Sequence, residues 1–230
     1  MSIAERVGEV AARIAAAAAG AGRSPQDVML VAVTKTVNPE RIREAVDAGV
    51  KHLGENRVQE ALSKLGSLPE GVTLHMIGHL QTNKARQVAC SFDWIHSVDS
   101  VKLAEELSRR CDAAGRRLTC LLEVNVSGEE AKYGATPEDA ARLADCVAAL
   151  PSLELAGLMT VPPFSEDPES SRPHFARLRG LAASLAPNLP AGSMRHLSMG
   201  MTGDYEVAVE EGATIVRVGT AIFGLSLIHI

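Results

Sequence analysis

The fold is decided by one continuous apolar run, Val28-Met29-Leu30-Val31-Ala32-Val33, which ends in Thr34-Lys35. A run of this length without alternating polar residues is typical of a parallel strand that is buried on both faces. The residues that follow, as far as Gly49, have a helical pattern. A strand followed by a helix is the repeating unit of an α/β fold.

The same alternation continues along the chain. Strand candidates lie at 28–34, 51–54, 73–77, 93–98, 118–126, 153–160, 194–198 and 214–218, of which the second and the seventh are short and carry polar residues. Helical patterns separate them, and an amphipathic helix from about Ile3 to Gly20 comes before the first. Eight strands in about 200 residues fit a closed (β/α)₈ barrel, whereas an open doubly wound sheet more often has five or six. We predict one barrel domain over residues 1–224, with an extra N-terminal helix.

Composition limits the class of function. The chain has 230 residues, of which 46% are apolar, and 23 Lys and Arg oppose 28 Asp and Glu for a net charge of −5. This balance argues against a broad surface for nucleic acid or anionic membranes. Four cysteines without a C-x-x-C pair indicate neither a zinc site nor a disulfide framework. With no signal core and no run of roughly 20 apolar residues, we expect a cytoplasmic protein that binds a small molecule.

In such barrels the working residues lie at the carboxyl ends of the strands. This rule selects a set of residues for the site: Lys35, Asn56, Gly78, His79, Ser198, Arg217, Gly219 and Thr220. A nucleophilic amine, a fixed cation, hydroxyls and free backbone amides are the parts of a pyridoxal phosphate site. Val31 and Val33 are expected to shield the amine from water.

Each of these residues also has a structural interpretation. Lys35 could end a strand as a solvated side chain, and Arg217 could pair with a buried carboxylate. Ser198 and Thr220 could cap helices, a role compatible with phosphate binding because free amides at a helix start serve both.

Five segments, in this order, resemble those of the pyridoxal phosphate homeostasis proteins. They are Val31-Ala32-Val33-Thr34-Lys35, Gly54-Glu55-Asn56-Arg57-Val58-Gln59-Glu60, His75-Met76-Ile77-Gly78-His79-Leu80-Gln81-Thr82-Asn83-Lys84, Leu197-Ser198-Met199-Gly200-Met201-Thr202 and Val216-Arg217-Val218-Gly219-Thr220-Ala221-Ile222-Phe223-Gly224. The resemblance extends from about residue 5 to 224. It implies the barrel of the alanine racemase N-terminal domain, pyridoxal phosphate fold type III, and a cofactor-binding protein without established catalytic activity.

The resemblance also implies roles for single residues. Lys35 matches the lysine that forms an imine with the cofactor, and Arg217 matches the arginine that faces the pyridine nitrogen. Ser198, Gly219 and Thr220 match phosphate contacts, and Asn56 resembles a residue near the ring. No metal and no catalytic residue is implied. We expect a monomer, with pyridoxal phosphate-dependent apoenzymes as candidate recipients of the cofactor.

Two features stay without a role. The resemblance implies no functional role for the segment 75–84. Residues 225–230, Leu-Ser-Leu-Ile-His-Ile, depart from the polar, arginine-containing tail of the family, and we interpret them as read-through or as the product of a truncated gene.

Three functions stay open at this point. The first is a non-catalytic pyridoxal phosphate carrier that contributes to homeostasis of the cofactor. The second is an amino-acid racemase or decarboxylase with the same cofactor, which requires a further acid or base at the ring that the sequence does not identify. The third is an aldolase-type barrel enzyme that uses a lysine imine without pyridoxal.

Overall fold

The structure, a computed structural model, describes residues 1–129 and 131–224. Eight parallel strands form a closed barrel in which each strand pairs with the next and the last pairs with the first. The strands are β1 (Met29–Val33), β2 (His52–Glu55), β3 (Thr73–Met76), β4 (Trp94–Val98), β5 (Leu118–Glu123), β6 (Leu153–Met159), β7 (His196–Ser198) and β8 (Ile215–Val218). The predicted barrel and its eight strands are confirmed.

Helices on the outside connect the strands. They are α1 (Ile3–Gly20), α2 (Pro39–Asp47), α3 (Val58–Lys64), α4 (Ala85–Ser91), α5 (Val101–Ala113), α6 (Ala140–Ala148), α7 (Arg172–Leu185), α8 (Tyr205–Glu210) and α9 (Thr220–Phe223). The predicted N-terminal helix is confirmed as α1, which begins with a capping box between Ser2 and Glu5. Its apolar stripe packs against α8 and α9. No helix in the described ranges is both long and apolar enough to cross a bilayer. The interpretation of residues 225–230 concerns residues outside those that the structure describes.

Seven strands are one to three residues shorter than the sequence predicted, and for β5 and β7 the neighbouring turns explain the difference. After β5 the chain makes only an isolated bridge between Val124 and Ala135. The Asn125 side chain then accepts a hydrogen bond from the amide of Gly128, which turns the backbone away. β7 starts only at His196 because Arg195 still belongs to a turn, in which its amide donates to the carbonyl of Gly192.

The inside of the barrel is half apolar and half polar. Val31, Leu121, Met159 and Ile215 pack together there in a small apolar cluster. Beside this cluster lie the imidazoles of His52, His75 and His96, which are joined by hydrogen bonds. Branched aliphatic side chains usually fill this space in a (β/α)₈ barrel, so the polar half needs a particular explanation.

One glycine lets two strands of the barrel approach closely. Gly157 in β6 has φ 154, and a Cβ atom there would lie 1.8 Å from the carbonyl oxygen of His196 in β7. No L side chain fits this position, since both the backbone conformation and the neighbouring strand exclude it.

Candidate functional site

Lys35 lies in the loop that follows β1, at the carboxyl end of the barrel. Its side chain is exposed, so the expected shielding by Val31 and Val33 is wrong for this structure. Val31 points into the barrel core, and Val33 instead contacts the loop after β8, where a Cβ on Gly219 would be 3.2 Å from the Val33 Cβ. The loop that carries Lys35 therefore lies beside the loop that carries Gly219.

A buried lysine holds the backbone on both sides of Lys35. The Nζ of Lys64 donates to the carbonyl oxygen of Thr34 at 2.7 Å, to Glu55 Oε1 at 3.1 Å and to Glu60 Oε1 at 2.6 Å. Glu60 Oε1 also accepts the amide of Thr36, and Thr36 has a φ of 60, which is uncommon for a β-branched residue. This cluster fixes the loop geometry, because a buried cation must keep its partners.

Asn56 follows β2 and is half-buried. Its Oδ1 is buried and has no hydrogen-bond partner among the described residues. The backbone of Asn56 packs against Gly78, where a Cβ would come within 2.5 Å of the Asn56 carbonyl oxygen. Gly78 therefore permits a close approach of the loops after β2 and β3.

The next residue, His79, faces away from this contact. Its Nδ1 lies 3.3 Å from Asp99 Oδ2, and its ring stacks on Tyr133 with centroids 3.7 Å apart. These side chains line a surface cleft together with Lys132. The segment 75–84 thus divides its side chains: His75 is in the barrel interior, Leu80 is in the core and His79 is in this cleft.

Arg217 crosses the carboxyl end of the barrel. Its Nη1 donates to Ser198 Oγ at 2.6 Å and its Nη2 to the carbonyl oxygen of Thr160 at 2.9 Å. Arg217 is 3% exposed and makes no salt bridge within the described ranges, which removes the alternative of a close carboxylate pair. Burial lowers the pKa of Arg217 to about 10, so the guanidinium is still protonated at neutral pH. A guanidinium has five N–H donors, and these two bonds leave others to reach a ligand.

A buried carboxyl group balances this charge from a distance. Glu123 ends β5 and is 8% exposed, and its Oε2 has no hydrogen-bond partner in the described structure. Burial raises the pKa of Glu123 to about 7; Asp99 raises it further, and the charge of Arg217 lowers it. Glu123 therefore changes its charge near neutral pH.

Backbone amides and a hydroxyl converge after β8. Gly219 precedes α9, and the amide of Ala221 lies 3.4 Å from the Thr202 Oγ1. In residues 1–129 and 131–224 we find no protein acceptor for the amides of Gly219 and Thr220. Free amides at a loop of this kind can bind an anion.

The structure brings most of the selected residues to one end of the barrel, but it separates the Ser198 hydroxyl from the loop after β8. Ser198 is completely buried between Arg217 and His96, so its hydroxyl is engaged inside the barrel. Thr202, four residues later, is the hydroxyl beside the loop after β8. The strand-end rule selected Ser198 and missed Thr202, because Thr202 lies beyond the strand within the same quoted segment. It also missed Glu123, His96 and Lys64.

Comparisons with known proteins agree with this fold. The family profile "Alanine racemase, N-terminal domain" matches residues 8–227. A curated relative named pyridoxal phosphate homeostasis protein, from Pseudomonas aeruginosa, is 46% identical over 97% of this chain and 95% of its own. PipY from Synechococcus elongatus, whose structure is solved with pyridoxal phosphate bound, is 39% identical, with a TM-score of 0.84 over 97% of this chain and 100% of that one.

An enzyme with the same fold is more distant. Alanine racemase from Clostridium difficile, solved in complex with cycloserine, is 13% identical with a TM-score of 0.71, over 87% of this chain and 56% of that one. A likeness at this identity shows the fold alone.

Proposed function

From the premise that this chain belongs to the pyridoxal phosphate homeostasis proteins, built on the alanine racemase N-terminal domain, we propose that it binds pyridoxal 5′-phosphate through Lys35 and acts as a non-catalytic holder of the cofactor. PipY, whose fold this chain shares, is solved with that cofactor bound. When bound, pyridoxal phosphate supplies an aldehyde that forms an imine with an amine and a ring that withdraws electrons.

The unpartnered polar groups of the site carry the proposal. The buried Oδ1 of Asn56 has no partner in the described chain, and a buried polar group without a partner costs about 1–3 kcal/mol. The spare donors of Arg217 and the free amides of Gly219 and Thr220 add an excess of hydrogen-bond donors. A flat ring with a nitrogen at one side and a phosphate at the other fits this set.

Four parts of the site then have separate tasks. Lys35 holds the aldehyde carbon, and the Lys64 cluster keeps its loop in place. Arg217 would lie on the side of the pyridine nitrogen and, being charged, would disfavour protonation of that nitrogen. The amides of Gly219 and Thr220 bind the phosphate, and we add the Thr202 hydroxyl to this group. The buried hydrogen bonds of Ser198 favour a role beside Arg217, and the ligand comparison described below decides between this role and phosphate binding.

An absorption spectrum with covalent trapping tests the proposal. We expect purified protein to be yellow, and borohydride reduction followed by peptide mass spectrometry to place the cofactor on Lys35. Lys35→Ala should lose the imine absorption. The matched control is Lys51→Ala, since Lys51 is an exposed lysine beside β2 at the opposite end of the barrel. Trapping on Lys84 or Lys132 in the wild type would show that the assignment is wrong.

A second function, amino-acid racemisation, is favoured by one observation. Glu123 has a pKa of about 7 at the end of the barrel that carries Arg217, and a group with such a pKa can act as a general base. Incubation of the loaded protein with L-alanine in D₂O separates the two functions, if deuterium uptake and chirality are followed together. The holder predicts no rapid formation of D-alanine. Rapid formation that disappears in both Lys35→Ala and Glu123→Gln would establish an enzyme.

A further inference from the structure

Three histidines inside the barrel form a continuous hydrogen-bonded series, which we call the histidine column: His52, His75 and His96. Their ring nitrogens lie 3.0 Å apart between His52 Nδ1 and His75 Nε2, and 2.9 Å apart between His75 Nδ1 and His96 Nε2. The Nδ1 of His96 lies 2.9 Å from Ser198 Oγ. Ser198 in turn contacts Arg217, so the series connects β2, β3 and β4 with the far side of the barrel.

We propose that the histidine column is a positioning device for Arg217: it accepts the hydroxyl proton of Ser198 and so keeps the Ser198 oxygen turned towards the guanidinium. The proposal rests on the proposed function only where it assigns Arg217 to the cofactor. The direction of the hydrogen bonds can be tested without any cofactor.

The guanidinium sets the direction of the whole series. Arg217 can only donate, so the Ser198 oxygen accepts from it. The single proton of the Ser198 hydroxyl is then free for its other contact, the Nδ1 of His96. A nitrogen that accepts carries no proton, so neutral His96 is protonated at Nε2 and donates to His75 Nδ1. By the same reasoning, His75 is protonated at Nε2 and donates to His52 Nδ1.

Burial keeps the column neutral. The pKa values of His75 and His96 are held well below the ordinary value, first by burial and then by neighbouring positive charge. For His96 these neighbours are His75, Arg217, His196 and His52, of which Arg217 is charged while the rings stay neutral. Doubly protonated rings would donate at both nitrogens and could not form this series. Neutral rings are therefore the form in which every contact of the column is satisfied.

The opposite direction is unfavourable. If His96 donated from Nδ1, the Ser198 oxygen would accept from two donors, and its own proton would have no acceptor in the part of the chain that the structure describes. A buried donor without a partner costs about 1–3 kcal/mol. Trp94 also restricts the rings, since it stacks on His75 with centroids 5.2 Å apart. Serial hydrogen bonds of one direction reinforce each other.

Nitrogen-15 NMR of the histidine rings in the cofactor-free wild-type protein tests this direction. Single His→Gln variants assign the signals. We expect His96, His75 and His52 to be neutral and protonated at Nε2, with a hydrogen-bonded, unprotonated Nδ1. Protonation of His96 at Nδ1 would overturn the proposal. Since the protein carries no cofactor in this experiment, failure of the proposed function cannot change the result.

Variants of Ser198 test the coupling to Arg217. Ser198→Ala should shift the Nδ1 signal of His96, and Ser198→Thr, which restores a hydroxyl, should return it. The matched control is Ser97→Ala in β4, because Ser97 is also a fully buried serine but donates to the carbonyl of Gly78. An unchanged His96 signal in folded Ser198→Ala would refute the contact.

Ligand affinity separates positioning from phosphate binding. If Ser198 acts through Arg217, it affects binding of the ring. Ser198→Ala should then lower the affinities for pyridoxal phosphate and for phosphate-free pyridoxal by the same factor, about tenfold. If Ser198 instead binds the phosphate, Ser198→Ala would lower the affinity for pyridoxal phosphate and leave the affinity for pyridoxal unchanged. Loss confined to the phosphorylated ligand would therefore reject the positioning role.

Discussion

Replacement of Glu123 by glutamine should stabilise the cofactor-free protein above neutral pH. The carboxyl group is buried at the end of β5 and its pKa is raised from 4.5 to about 7, first by burial and then by Asp99. The folded state thus binds this proton more tightly than the unfolded chain does. The contribution of Glu123 to stability is complete below about pH 4.5 and is lost as pH rises to about 7.

The pKa change gives the size of the effect. A shift from 4.5 to about 7, at 1.36 kcal/mol for each pKa unit, corresponds to roughly 3 kcal/mol. Glutamine resembles the protonated carboxyl group and never ionises. We therefore expect Glu123→Gln and wild type to have similar free energies of unfolding near pH 4.5, and the variant to be roughly 3 kcal/mol more stable at pH 8.

Urea unfolding at several pH values measures this difference. Subtraction of the wild-type curve from the variant curve removes the contributions of the titrating groups that do not interact with Glu123, whereas Asp99 and Arg217 stay in the difference. The control is Glu70→Gln, because Glu70 is exposed and its replacement removes one carboxyl group without changing the barrel interior. A Glu123→Gln variant that is no more stable than wild type at pH 8, or whose advantage is the same at pH 5, would refute the reasoning.

Three further substitutions test other parts of the structure. Thr202→Ala should lower the affinity for pyridoxal phosphate about tenfold and leave the affinity for pyridoxal unchanged, as measured by fluorescence titration. Lys64→Met should lower the free energy of unfolding in urea by about 3–5 kcal/mol, because two carboxylates lose their buried cation. A variant as stable as wild type would show that the cluster is dispensable. Gly157→Ala should lower the free energy of unfolding by more than about 3 kcal/mol. The control Gly180→Ala, at a helical position with open space, should raise it by roughly 0.5–1 kcal/mol. Equal melting temperatures for these two alanine variants would contradict the strand contact.

The sequence predicts the barrel well because the barrel depends on local patterns. Most strands lie in apolar runs long enough to recognise, and β2 and β7, which are short and carry polar residues, are still marked by their position between helices. The strand-end rule also predicts that Lys35, Asn56, Arg217 and Gly219 lie at one end of the barrel, since the topology of a (β/α)₈ barrel fixes that edge. These predictions need no knowledge of which side chains touch.

The remainder of the site depends on contacts between distant positions. His96 and Ser198 are separated by 102 residues, and nothing around either residue indicates that they meet. Lys64 is an ordinary lysine at the end of a helical pattern, yet it is buried beneath the Lys35 loop. The exposure of Lys35 was also unpredictable, because the side chains near its amine are set by loop geometry and not by the strand before it.

The histidine column also bears on how the chain reaches its native state. A fragment that stops after β4 would contain all three histidines but neither Ser198 nor Arg217, so the hydrogen bond of His96 across the barrel would be missing. The imidazoles of such a half-barrel could complete their hydrogen bonds only with water. Folding in a single cooperative transition is therefore favoured over a stable half-barrel intermediate. Contacts so distant in sequence also slow the search for the closed barrel. In the native protein, the ring N–H protons of His75 and His96 should exchange with solvent only when the whole barrel opens.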